Sequence, residues 1–422
     1  INVMHVFHEM QEFIFKRYKE LSKQSLLYKL EDKGVTYKIQ KTNYTMEKLV
    51  TLLALLLYFG LVFGEISNKC VFPAIYNFGD SNSDTGGKSA AFRQVPPPNG
   101  LTFFGSPMGR VCDGRLIIDL IADRLELQYL SPYLDSVMAN FRNGANFATA
   151  GSSILPGGYS PFSLEVQISQ FLQFKKRTIL LSDLSIPNKS KWSSSKVNIA
   201  NPQDFSKALY TFDIGQNDLS YGFQHTHEAQ VRASIPLIID NFTQAIHQLY
   251  YEGAVNFWIH NTGPIGCLPY SVIDYPLKPQ GLDGIGCIEN QNKVARELNE
   301  QLKDRILYLR AELPRAAFTY VDIYSAKYQL ISSAKEQGFG DPLEFCCGWY
   351  NNGSEVACGQ TAIVNGTEHG KACSDPTKYI SWDGIHYTDA ANVWLAKSIL
   401  NGSFSDPPVP IEQSCSHSST RV

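Results

Sequence analysis

Ala74-Ile75-Tyr76-Asn77-Phe78 runs directly into Gly79-Asp80-Ser81-Asn82-Ser83-Asp84-Thr85-Gly86-Gly87, and the reading of this junction decides the fold. The apolar run is short, rich in aromatic residues and closed by glycine, which is the pattern of a buried strand. A serine just past a strand end, flanked by Gly and Asp, is held on a turn with backbone N–H groups around it. Far along the chain, Trp382-Asp383-Gly384-Ile385-His386 sets an acid and an imidazole three residues apart. A serine hydroxyl is a weak nucleophile until a base takes its proton, and a histidine is matched to that task near neutral pH. A carboxylate beside the imidazole fixes its tautomer. Ser81, His386 and Asp383 are therefore the candidate nucleophile, base and base-orienting acid of an acyl-transfer site.

Outward from this junction, strand-like and helix-like runs alternate. Strands are expected at residues 74–78, 146–148, 208–212, 255–260 and 317–321. Helical spacing marks residues 116–125, 232–251, 287–313 and 389–400, with Gly253 and Pro314 as stops. Such alternation predicts an α/β fold, a parallel sheet with helices on both faces. Chemistry in such sheets gathers at the C-terminal strand ends, where Ser81 and Asn217 both fall. Residues 96–100 (Pro-Pro-Pro-Asn-Gly) and 179–200, rich in Ser, Lys and Asn, read as surface loops, and the tail after Asn401 as irregular. No internal repeat is visible.

The chain has 422 residues, 44% of them hydrophobic, enough for a large core, and a net charge of -3 that offers no basic footprint for nucleic acid. Residues 46–64 start with charge (Met46-Glu47-Lys48), continue as an apolar run and end on a small residue, as a secretory signal peptide does. The competing reading, a membrane anchor, needs ~20 apolar residues, more than the uncharged run from 49 to 64 supplies. Residues 1–45 are then either non-native upstream sequence or a true extension. The hydrolase domain is expected at 65–405 and an irregular tail at 406–422. Secretion to the cell exterior or wall, or delivery to the vacuole, is the expected location. Five sequons (Asn188, Asn241, Asn352, Asn365, Asn401) and nine cysteines agree with an oxidising route. Adjacent Cys346 and Cys347 do not fit paired zinc ligands. Two bridges are expected among Cys346, Cys347, Cys358 and Cys373, with the pairing open, and one between Cys267 and Cys287. Cys112 is the candidate for the unpaired thiol.

Four blocks complete the picture: Gly79-Asp80-Ser81 with Asp84 and Gly86; residues 109–116 (Gly-Arg-Val-Cys-Asp-Gly-Arg-Leu) followed by 144–151 (Gly-Ala-Asn-Phe-Ala-Thr-Ala-Gly); Gly215-Gln216-Asn217-Asp218; and Asp383-Gly384-Ile385-His386. In this order they resemble the plant GDSL esterase/lipase family of SGNH hydrolases, and most closely its early-nodulin-type branch, over residues 70 to 402. Asn82 replaces the Leu of the family's name, and Cys112 stands where Ser is expected. The resemblance implies a flavodoxin-like three-layer α/β/α sandwich around a mainly five-stranded parallel sheet. It also implies an oxyanion hole made by Ser81 N–H, Gly151 N–H and the Asn217 side-chain amide, with Gly144 as the alternative to Gly151. It implies no metal and no organic cofactor.

The leading expectation is a secreted carboxylic-ester hydrolase that works through an acyl-enzyme. Its partners are small-molecule, glycan or lipid esters, with neither nucleic acid nor a stable membrane span. The alternatives are an acyltransferase on the same triad, an α-fucosidase-like glycosidase and a non-catalytic secreted glycoprotein. A glycosidase needs two carboxyls flanking the bond, and no such pair stands out. Asp84 and Asp113 are expected to brace loops. His225 and His227 are expected to face solvent, and His260 to be packed. Phe103 and Phe104 could line an acyl pocket or the core.

Overall fold

The computed structural model describes residues 69–137, 139–184, 198–274, 281–351 and 353–415. The signal-like segment, the upstream extension and the sequons at Asn188 and Asn352 lie outside the described residues. Strands β1 (Ile75–Gly79), β2 (Gly144–Asn146), β3 (Leu209–Asp213), β4 (Asn256–His260) and β5 (Ala317–Val321) form a parallel sheet ordered β5-β4-β3-β1-β2. The two-residue β6 (Ser405–Asp406) joins the outer edge of β5 antiparallel. All five expected strands are present, shifted by no more than two residues.

Among the described residues, seven helices have eight residues or more: α1 (Ile117–Arg124), α2 (Leu164–Leu184), α3 (Gln216–His225), α4 (Glu228–Tyr251), α5 (Glu289–Glu312), α6 (Ile323–Ser332) and α7 (Asp389–Ile399). Successive strand residues point to opposite faces of a sheet. Tyr76, Phe78, Tyr210, Phe212 and Phe257 accordingly pack with α2, α4 and α5 on one face. Ile75, Leu209 and Trp258 pack with α1, α6 and α7 on the other. Two cores on two faces of one sheet make the expected three-layer α/β/α sandwich.

The strand order sets the location of a site. Chain progression reverses between β1 and β3, and in open α/β sheets ligands bind at the C-terminal strand ends beside that switch point. Ser81 follows β1 and Asn217 follows β3.

Three expectations need correction. Residues 179–184, read as loop, are the last turns of α2. Its buried stripe, Leu164, Ile168, Phe171, Phe174 and Thr178, keeps helical spacing between Ser, Gln and Lys that mask it. Residues 185–197 lie outside the described residues. Helix α4 begins at Glu228, one turn earlier than its apolar pattern, where Glu228 pairs with Arg232 at 2.9 Å. The tail is not wholly irregular: it carries β6 and a 3-10 turn (Ile411–Gln413), and Cys415 is bridged to Cys70.

The other disulfides are Cys267–Cys287, Cys346–Cys373 and Cys347–Cys358, so the cysteine-rich segment does hold two internal bridges. Cys112 is free and buried. Burial, then the neighbouring Asp113 charge, pushes its thiol well up, so it is not a reactive thiolate.

Candidate active site

The turn that carries Ser81 is built from both of its flanks. Gln167 of α2 clamps the end of β1: its Oε1 accepts from Gly79 N–H at 2.9 Å and its Nε2 donates to Gly79 O at 2.8 Å. Gly79 has to be glycine, since a Cβ there would stand 2.3 Å from Ser83 Oγ and 2.6 Å from Asp213 O. Asn77, a polar residue inside an apolar strand, donates to Asn146 Oδ1 at 2.8 Å and Ser83 Oγ at 3.0 Å, and accepts from Thr211 Oγ1 at 2.7 Å. Asn146 in turn donates to Ser83 O and Thr85 Oγ1. This cross-strand network, which the sequence reading missed, braces the loop that carries Ser81. Ser81 itself is 9% exposed.

The turn that carries Asp383 and His386 is equally constrained. Asp383 Oδ2 lies 2.7 Å from His386 Nδ1, while its Oδ1 accepts the backbone N–H groups of Ile385 and His386 at 3.0 and 2.8 Å. Burial works against the Asp383 charge, but the His386 charge and these hydrogen bonds outweigh it and hold the carboxyl below the usual range. With Nδ1 engaged, Nε2 is the ring nitrogen left to take a proton. Cys346 and Cys347 N–H groups donate to Trp382 O at 3.0 and 2.7 Å, and Trp382 Nε1 donates to Asn99 Oδ1 at 2.9 Å. Two disulfides and the proline loop thus converge on the residue before Asp383.

Gly151 lies on the loop after β2 with φ +84°, and a Cβ there would press on Tyr159 Cβ at 3.3 Å. Asn217, in the first turn of α3, donates to Ser152 O at 2.8 Å, which leaves its second amide hydrogen for a ligand. Asp218 fixes the same loop by accepting from Ile154 and Leu155 N–H at 2.8 and 2.9 Å. Among the described residues, neither Ser81 N–H nor Gly151 N–H donates to a protein acceptor. Gly144, the alternative donor, is inside β2 and donates to Phe141 O, away from the loop.

Several contacts tie these pieces together. Asp84 accepts Gly86, Gly87 and Lys88 N–H on its own loop and Ala150 N–H on the loop of Gly151. Arg110 pairs with buried Asp119 and donates to Thr85 O at 3.0 Å. Arg115 pairs with Asp389, and Asp113 accepts Asp389 N–H at 2.7 Å, three residues after His386. A further chain runs from Tyr159 OH to Gln224 Oε1, from Gln224 Nε2 to Tyr270 OH, and from Tyr270 N–H to Gly384 O. It links the Gly151 loop to the turn of Asp383 and His386. The bracing roles expected for Asp84 and Asp113 are thereby accounted for. Among the described residues no hydrogen bond joins Ser81 Oγ to His386; in ligand-free sites such bonds are often long and tighten with substrate.

His225 and His227 are exposed, as expected. His260 is buried and hydrogen-bonded to Asp213. Phe103 and Phe104 lie against the Arg115 and Arg110 guanidinium groups, 4.1 and 4.9 Å from the ring centroids, and Phe103 is exposed rather than part of the core.

The sequence profile of the GDSL-like lipase/acylhydrolase family matches residues 75–399. A GDSL esterase/lipase of Arabidopsis thaliana is 53% identical over 370 residues, 87% of this chain and 97% of that protein. The GDSL esterase/lipase ACHE of Zea mays is 50% identical, covering 82% of this chain and 89% of that protein. GDSL esterase/lipase ENOD8 of Medicago truncatula, an early nodulin, is 44% identical, covering 83% of this chain and 91% of that protein. On the strength of these matches, the chain belongs to the GDSL esterase/lipase family and is an ester-bond hydrolase.

Proposed function

We propose that the chain is a secreted carboxylic-ester hydrolase in which Ser81 forms an acyl-enzyme, His386 is the general base and acid, and Asp383 orients it. The observation that carries this reading is the 2.7 Å Asp383–His386 contact on a braced turn, tied to the loops of Ser81 and Gly151 at the sheet's switch point. Ser81 Oγ attacks the ester carbonyl as its proton passes to His386 Nε2. The negative charge that develops on the carbonyl oxygen is met by Ser81 N–H, Gly151 N–H and Asn217 Nδ2. Collapse of the tetrahedral intermediate breaks the C–O bond, and His386 returns the proton to the leaving alcohol. Water then attacks the acyl-enzyme with the same proton transfers and regenerates Ser81.

Secretion is supported by the signal-like residues 46–64 and by four disulfides, which persist in oxidising compartments. Asn365 and Asn401 are exposed sequon sites. A mature N-terminus near Glu65 is the corresponding expectation.

Hydrolysis of p-nitrophenyl acetate by the purified protein and by Ser81→Ala tests the assignment. The variant should stay folded, because the change removes one oxygen from a turn, and should lose at least ~10⁴-fold in kcat. Near-wild-type turnover in Ser81→Ala would remove Ser81 as nucleophile.

A further inference from the structure

Directly under the nucleophile turn the structure buries a group of ionisable side chains that the ester chemistry does not use. Asp80, the residue before Ser81, is fully buried; its Oδ1 accepts from Asn82, and its Oδ2 has no hydrogen-bond partner among the described residues. Asp213, the last residue of β3, is 5% exposed, and its Oδ2 lies 3.0 Å from His260 Nδ1. Trp258 Nε1 donates to His260 Nε2 at 3.1 Å, so the ring proton resides on Nδ1, and His260 gives Asp213 a hydrogen bond.

The cation whose charge acts on both carboxylates is Lys327 of α6, which is 2% exposed. Its ammonium lies 4.5 Å from the ring centroid of Tyr387, the residue after His386. Room for its stem comes from Gly263, where a Cβ would stand 3.0 Å from Lys327 Cδ and 3.5 Å from both Lys327 Nζ and Gln216 Oε1. A buried ammonium is costly unless it is compensated. Here the compensation is the charge of Asp80 and Asp213 together with the π face of Tyr387.

We propose that Lys327 is a positioning residue of the hydrolytic site: its charge holds Asp80 beneath the Ser81 turn while its ammonium seats Tyr387 behind the His386 turn, so one buried side chain sets nucleophile and base in register. This rests on the roles given above to Ser81 and His386. The electrostatics agree with the geometry. Burial, then the Asp213 charge, pushes Asp80 up to about 7, against the Asn82 bonds and the Lys327 charge. Burial also opposes the Asp213 charge, but the hydrogen bond from His260 and the Lys327 charge prevail and hold that carboxyl low. Burial lowers Lys327 against the pull of both carboxylates.

Lys327→Met keeps the length and removes the charge. The expected result is a kcat for p-nitrophenyl acetate reduced ~10-fold or more, with KM changed less than about 3-fold, since register rather than ground-state binding is lost. The loss should deepen from pH 5 to pH 9. Without the cation both carboxyl pKa values rise in the folded state. Stability from such groups is complete below the unfolded carboxyl pKa and lost as pH climbs through the raised value. Adding Asp80→Asn to Lys327→Met removes one of the two uncompensated charges but does not restore the seat of Tyr387, and should recover part of the lost turnover and weaken the pH dependence.

Gly263→Ala crowds the lysine stem with every charge kept, and should also lower kcat at unchanged KM. If Lys327→Met does not accumulate folded, the double variant should. Wild-type turnover and pH profile in Lys327→Met would overturn the proposal. So would a pH-independent loss that Asp80→Asn does not repair, or a double variant that also fails to fold. Absence of Ser81-dependent hydrolysis in the wild type would instead sink the functional reading and this proposal together.

Discussion

Each oxygen of Asp383 has separate work: Oδ1 closes the turn through two backbone N–H groups, and Oδ2 holds the His386 ring. Asp383→Asn keeps the size but cannot accept in the same way or favour an imidazolium. Its kcat should fall by roughly 10⁴-fold, against about 10⁶-fold for His386→Ala, as steady-state rates will report. The double variant Ser81→Ala/His386→Ala should be little worse than either single one, since both residues act in one step. The lowered pKa of Asp383 has a stability counterpart. A group whose folded pKa is depressed contributes stability above its unfolded value, and this is lost as pH falls through the folded one. The Tm deficit of Asp383→Asn should therefore be full at pH 7, begin to shrink below about 3.8, the ordinary carboxyl value, and close only as the pH passes the lowered folded value. The pairing of Asp383 with His386 was legible because a base and the acid that orients it must be neighbours, and three residues on a turn allow that. Asn77 and Gln167 were not. Their function lies in bonds to residues 69 and 88 positions away in sequence, and a single polar residue in a strand or helix carries no spacing signal.

At the scale of elements, the strands were legible because buried parallel strands are short, dense apolar runs. Helix α2 was not, because its one apolar stripe is narrow and its exposed face has the composition of a loop. The segment from Cys346 to Cys373 is held another way. It contains two small hairpins, Trp349–Asn351 with Ser354–Val356 and Ala362–Val364 with Thr367–His369, and most of their residues are exposed. With so little to bury, its order depends on Cys346–Cys373 and Cys347–Cys358. Because the backbone of both Cys346 and Cys347 holds Trp382, mild reduction should lower esterase activity before the far-ultraviolet circular dichroism of the sandwich changes. Simultaneous loss of both signals, or activity indifferent to reductant, would contradict this.

For the molecule as a whole, the topology carries the function. The order β5-β4-β3-β1-β2 brings the loop after β1 and the loop after β3 to one switch point. The long return of the chain adds the turn of Asp383 and His386 from its far end. Alternation of elements was enough to read the sheet and its two helical layers. The Cys70–Cys415 bridge, which spans 345 residues, was not legible, since spacing alone cannot pair cysteines so distant. The central claim is that Ser81, activated by His386, becomes acylated. Treating the intact, disulfide-bonded protein with a fluorophosphonate probe and sequencing the labelled peptide by mass spectrometry tests it most directly. The account predicts one phosphonyl adduct, on Ser81, that is lost in Ser81→Ala and strongly slowed in His386→Ala. An adduct on a different residue, or no adduct while ester hydrolysis proceeds, would contradict it.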